Sequence, residues 1–364
     1  MLTLLLSGIL MFSPVYAEVT TVAGTGIHGS RDGSHAQFNL PASVFGGEDG
    51  LYVTDTFNNM VRRIDSDGYV HRVTGSILGV DRHNFPLGFY VDAVVDYALF
   101  NRPVGVAADS YGRVFIADSM NNVIRVIYGE YVFTFAGREG PGHADGRYYE
   151  AMFYRPSAIA LGPDGTIFVA DTLNHVIRAI DLNDNVRTIA GIPGVYGHND
   201  GRAGSARFNS PMGIAVAEDG RIFVADTGNH LIRVIENGRV STVAGSVLFP
   251  ADIAWEDPDS DFDNVPIGGF ADGYEAMFNL PKGLSLWGEI LVVADSANHM
   301  IRAVLPAGEV ITLAGTGTVG HTDGPALEAG FHLPQGVYVR GGPYEYRLYI
   351  ADTGNNKIRV LVIR

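Results

Sequence analysis

One string dominates this chain: Asp, two residues, Asn, three residues, Arg. It occurs six times, at Asp55-Asn58-Arg62, Asp118-Asn121-Arg125, Asp171-Asn174-Arg178, Asp226-Asn229-Arg233, Asp295-Asn298-Arg302 and Asp352-Asn355-Arg359. Successive Asp residues lie 63, 53, 55, 69 and 57 positions apart. A spacing this regular describes a series of copied units, each burying its apolar face against the next. Residues common to all copies therefore belong to the scaffold, and function is to be sought where the copies differ.

The fourth copy shows the unit. Phe208-Asn209-Ser210-Pro211 leads into Met212-Gly213-Ile214-Ala215-Val216, a short apolar run that reads as a fully buried innermost strand. After the turn at Glu218-Asp219-Gly220, residues 222–226 form a second strand, 230–235 a third and, past Asn237-Gly238, 240–245 a fourth. Each copy is thus a four-stranded antiparallel meander, the size of a propeller blade. The last copy ends at Arg364 after its third strand, while Val19-Thr20-Thr21-Val22-Ala23-Gly24 is a fourth strand with no blade. Joining the two removes an exposed sheet edge. The expected fold is all-β: a six-bladed β-propeller closed by pairing the N-terminal strand with the C-terminal blade.

The frame Ala-Asp-Thr-Gly-Asn-His-Leu-Ile-Arg around Asn229-His230-Leu231 resembles the NHL repeat family of six-bladed propellers. The other copies vary in the middle, as Asn174-His175-Val176, Asn298-His299-Met300, Asn58-Asn59-Met60, Asn121-Asn122-Val123 and Asn355-Asn356-Lys357. The resemblance covers essentially residues 18–364 and implies a scaffold that serves binding modules and a few enzymes alike. Among the latter it implies metal-dependent lyases and lactone hydrolases with calcium or zinc at the channel; no motif identifies such ligands in this chain.

With 364 residues, 46% of them hydrophobic, the chain can bury a large core. Its formal net charge of −15 repels phosphate backbones and anionic lipid, so nucleic acid is not an expected partner. The absence of cysteine excludes disulfides, thiolate metal sites and a cysteine nucleophile. Residues 1–17 combine an apolar run from Leu2 to Phe12, Pro14 and the small residues Val15 and Ala17, which reads as a cleaved signal peptide preceding one domain over 18–364. The expected location is the periplasm, the cell envelope or the exterior, with no membrane-spanning segment left after cleavage.

A catalytic group has no reason to recur around a ring, so the repeated Asp and Arg residues are expected to hold turns and tie neighbouring blades. A second recurring element is an Asp-Gly turn at Asp32-Gly33, Asp145-Gly146, Asp200-Gly201, Asp272-Gly273 and Asp323-Gly324, read as a loop stabiliser. The alternative places His143, His198 and His321 beside these turns at the channel mouth as metal ligands.

The copies differ in two respects. The links from the fourth strand of one copy to the next are 12 to 15 residues long, except Gly75 to Ala98 at 23 and Gly245 to Ala276 at 31. Long loops on a regular scaffold carry recognition, and these two enter blades on opposite sides of the ring. The first offers Phe85, Phe89 and Tyr90 for stacking on a ligand, or for packing on its own blade. The second carries Asp257, Asp259, Asp261 and Asp263, oxygen donors suited to calcium, though without the Gly and Glu that complete a calcium loop. The other difference is the residue after the repeated Pro: Ala42, Val104, Ser157, Met212, Lys282 and Gln335. Fixed place and changing chemistry make it a channel-mouth contact position, with Ser157, Lys282 and Gln335 the polar candidates. Because no paired acids, nucleophile with base or metal cage is visible, a binding module for a protein, peptide or glycan ranks ahead of an enzyme.

Overall fold

The computed structural model describes residues 16–247, 266, 268–342 and 345–364. The expected calcium ligands Asp257, Asp259, Asp261 and Asp263, and nearly all of the expected signal segment, lie outside the described residues.

Six antiparallel sheets are arranged as blades. In the fourth, Gly213–Val216, Ile222–Asp226, Leu231–Glu236 and Arg239–Ala244 run from the centre outward, joined by the turns that Asp-Gly and Asn-Gly dictate. Among the described residues, four blades gain a fifth, two-residue strand at the outer edge, such as Gly201–Arg202 against Val240 and Arg239. The chain therefore leaves one blade, runs along the outer edge of the next and only then enters it. The sixth blade mixes both ends of the chain: Ala17–Ala23 pairs with Lys357–Ile363, from Ala17 opposite Ile363 to Ala23 opposite Ile358. The ring thus closes as the sequence requires, and Ala17, the last residue of the expected signal, already stands in that strand.

Each inner strand touches the inner strands of the blades on both sides. Glycine makes this possible: a Cβ on Gly213 would strike the Lys282 carbonyl, and one on Gly283 the Gln335 carbonyl. The apolar core is divided into six clusters, each wedged between two adjacent blades, with Phe38, Phe100, Phe153, Phe208, Phe278 and Phe331 fully buried. Each blade therefore depends on its two neighbours to cover its faces.

Candidate functional site

The six repeated arginines are completely buried. Each Nη1 donates to the repeated Asp of its own blade at 2.7–3.0 Å. Each Nη2 reaches a second Asp in the incoming link at 2.5–2.8 Å: Asp32, Asp92, Asp145, Asp200, Asp272 or Asp323. Every guanidinium also lies 4.9–5.3 Å over the ring of the buried Phe of that link. In blade four the Asp226 carboxylate accepts from Asn209 N, Asn229 Nδ2 and Arg233 Nη1. Burial pushes this carboxyl up to about 6, against the pull of Arg233 and the amide donors. The cluster locks a blade to its own incoming link, so the expectation that it ties neighbouring blades is corrected. Asp92 completes the set in blade two; the sequence hides it because Ala93, not Gly, follows.

Neighbouring blades are tied by the residue after the repeated Asn. Asn59, Asn122, His175, His230, His299 and Asn356 all adopt φ of 52–60°, a left-handed backbone that Asn and His tolerate. Their side chains accept the backbone N–H of Arg102, Arg155, Ser210, Leu280, Leu333 and Leu40 in the next blade, at 2.8–3.1 Å. Asn uses Oδ1 and His uses Nδ1, so the two residue types are interchangeable only while the imidazole is neutral. Burial holds His175, His230 and His299 below the usual histidine range, with neighbouring His332 adding to this at His299. Four blades add a threonine tie, as Thr227 Oγ1 to the Pro281 carbonyl at 2.7 Å.

These ties leave the inner strands around a central cavity of about 250 Å³. Ala42, Val104, Ser157, Met212, Lys282 and Gln335 all line it. Deeper in stand Phe45 and Tyr338, their ring centroids 4.9 Å apart, which the sequence reading did not single out. The expected polar contacts fare differently. Ser157 is buried and spent on Thr172 Oγ1 at 2.5 Å and on the carbonyls of Pro211 and Met212. Lys282 is the only charged residue among the described residues lining the cavity, and no described residue forms an ion pair with it. Loss of water holds its amine below the usual lysine range.

The aromatic candidates of the first long link do not line this cavity. Tyr90 is committed to its own blade, its hydroxyl 2.6 Å from Thr134 Oγ1 and its ring under Arg125. Phe85 is exposed and meets Phe57 edge-on at 6.1 Å, while Phe89 is exposed. Asn59 Nδ2 pins this link by the carbonyls of Pro86 and Leu87, on the same face as the rim. The metal reading of the loop histidines is corrected for His143, which lies 2.8 Å from Thr188 Oγ1 on the fourth strand of its blade, the second from the outer edge, and so stands at the periphery rather than the channel. Among the described residues no group of three or more His, Asp or Glu is placed to hold a metal ion, so the donors for the calcium or zinc that the resemblance implies are not assembled there.

The model of the NHL repeat matches residues 208–235. NHL repeat-containing protein 2 of Gallus gallus is 31% identical over 289 residues, covering 71% of this chain and 38% of that protein. Protein SUPPRESSOR OF QUENCHING 1, chloroplastic, of Arabidopsis thaliana is 26% identical over 257 residues, or 61% of this chain and 22% of that protein. The chain thus spans less than half the length of these curated relatives. Among solved structures, an auxiliary nutrient binding protein from Bacteroides thetaiotaomicron superposes with a TM-score of 0.68 at 15% identity, over 96% of this chain and 77% of that one, a likeness of fold.

Proposed function

The chain is an NHL-repeat six-bladed β-propeller, and from that premise we propose that it is an exported binding module that takes its ligand at the rim of the channel. One observation carries the reading. The repeated charged residues are consumed by the scaffold, and the positions that vary from blade to blade converge on one cavity, where Lys282 is the one charged group among the described residues. Gln335 stands in the blade beside it and offers an amide donor and acceptor. Phe85 and Phe89, exposed on the same face, extend the surface for a glycan or peptide too large for the channel. The nutrient-binding neighbour of the same fold lends the reading support. No helix among the described residues is long and apolar enough to cross a membrane.

Export rests on residues 1–17. Cleavage after Ala17 removes the residue opposite Ile363 and keeps the pairs from Glu18 opposite Val362 inward, so the ring still closes. N-terminal sequencing of protein recovered from outside the cytoplasm tests this, a start at Glu18 being expected and an uncleaved chain contradicting it. Binding is tested by a thermal-shift screen of sugars, peptides and small metabolites. Stabilising compounds should lose their effect on Gln335→Ala and keep it on Tyr111→Ala, a change at an exposed turn on the opposite face. The converse pattern refutes the rim.

A further inference from the structure

Lysine is nearly absent from this chain: only Lys282 and Lys357 occur among its 25 basic residues. One of the two projects into the channel. Its neighbours around the ring are Met212 and Gln335, and the strands that carry them are otherwise small and apolar. A lysine used for packing or solubility would be paired or exposed, as the buried arginines are paired. Here neither holds, since the lining contains no carboxylate among the described residues and no described residue forms an ion pair with the amine.

We propose that Lys282 is a nucleophilic amine and that the channel captures small aldehydes and ketones as an imine on its Nζ. The proposal deepens the rim reading by naming a ligand class for the same cavity. The lone pair on Nζ attacks the carbonyl carbon, the two protons that the amine gives up pass to the carbonyl oxygen, which leaves as water, and a C=N bond replaces C=O. Neither oxidant nor reductant is needed, and hydrolysis reverses the step.

Four features suit this chemistry. A desolvated amine without a counter-ion favours its free base, the form that attacks. A cavity of about 250 Å³ lies just below the ordinary range for drug-sized ligands, so it selects for small compounds. The net charge of −15 discourages anions from gathering at the mouth but leaves neutral carbonyl compounds unaffected. The Gln335 amide, on the adjoining strand, supplies a donor for the polarised oxygen.

Glycolaldehyde with sodium cyanoborohydride, which reduces the imine to a stable secondary amine, is the probe. Peptide mapping then separates Lys282 from Lys357 and the α-amine. Label on Lys282 should outpace label on Lys357 on the order of tenfold at neutral pH, and Lys282→Met should remove that label while leaving Lys357 unchanged. Met matches the neighbouring Met212 in size and character, so the variant should keep its melting temperature. Equal labelling of the two lysines, or slower labelling of Lys282, overturns the proposal. If so, the rim reading survives provided that Gln335→Ala still abolishes the thermal shifts of screened ligands; loss of both results would sink the two together.

Discussion

Each blade lock contains two aspartates on one arginine, and their surroundings set a sharp contrast in what they are worth. Asp226 has no exposed side-chain surface, whereas the Asp200 side chain is 46% exposed, although its contact with Arg233 is the shorter at 2.5 Å. Asp226→Ala leaves a buried guanidinium with only half its compensation and strands the Asn209 N–H, while Asn229 Nδ2 keeps the Gly197 carbonyl. Breaking a buried pair costs about 3–5 kcal/mol, and the retained Asp200 places this case near the lower end. A stranded buried N–H adds about 1 kcal/mol, for a total of about 4 kcal/mol. Asp200→Ala removes a half-solvated carboxylate, frees Thr242 to water and strands Arg233 Nε while Nη2 keeps the Asn199 carbonyl, so it should cost less, about 1–2 kcal/mol. Urea unfolding followed by circular dichroism measures both. The double change Asp226→Ala with Arg233→Met, which removes both buried charges, should recover most of the loss. If Asp226→Ala costs no more than Asp200→Ala, or if the double variant is worse than the single one, the buried pair is not what holds the blade.

The histidine ties make a prediction about pH. Their folded pKa values are depressed, so the stability they contribute is complete above the unfolded value of about 6.5 and is lost as pH falls through the folded values. Replacing His175, His230 and His299 together by Asn, the residue used in the other three blades, should leave stability at pH 8 nearly unchanged and flatten its decline between about pH 7 and pH 5. Melting curves across that range check it, and an equally steep decline in the triple variant refutes it. Gly213→Ala drives a methyl group into the Lys282 carbonyl and should cost about 1–3 kcal/mol, while Gly204→Ala, with open space around its Cβ, should be near neutral. Deleting residues 17–23 exposes the Lys357–Ile363 edge, so size-exclusion chromatography should show a shift to aggregate relative to the intact chain; a monodisperse, equally stable product would contradict ring closure by that strand.

The architecture was legible because the information was redundant. Six copies of one string, spaced like blades, left no other way to bury the apolar runs at 214–216, 222–225 and 231–235. The rim was legible for the same reason: a Pro at a fixed place set the register, so Lys282 and Gln335 could be placed on the cavity without any contact being seen. What the sequence concealed were long-range partners. Nothing near Asn59 or His230 announces that each caps an N–H 43 or 50 residues away, though a shared need for positive φ and one acceptor explains why Asn and His alternate there. Ser157 reads as an available hydroxyl in the sequence because Thr172, in the turn after the second strand of its blade, and Met212, at the entry of the next blade's inner strand, come close to it only in the fold. Tyr90 likewise is claimed by Thr134, 44 residues on.

The repeated residues build the scaffold, and the proposed ligand site lies where the copies diverge. A crystal structure with the strongest compound from the thermal-shift screen tests this most directly. Density between Met212, Lys282 and Gln335, within reach of the Lys282 amine, is the predicted result. Density confined to the opposite face or to the outer edges of the blades, with the channel filled only by water, would contradict it.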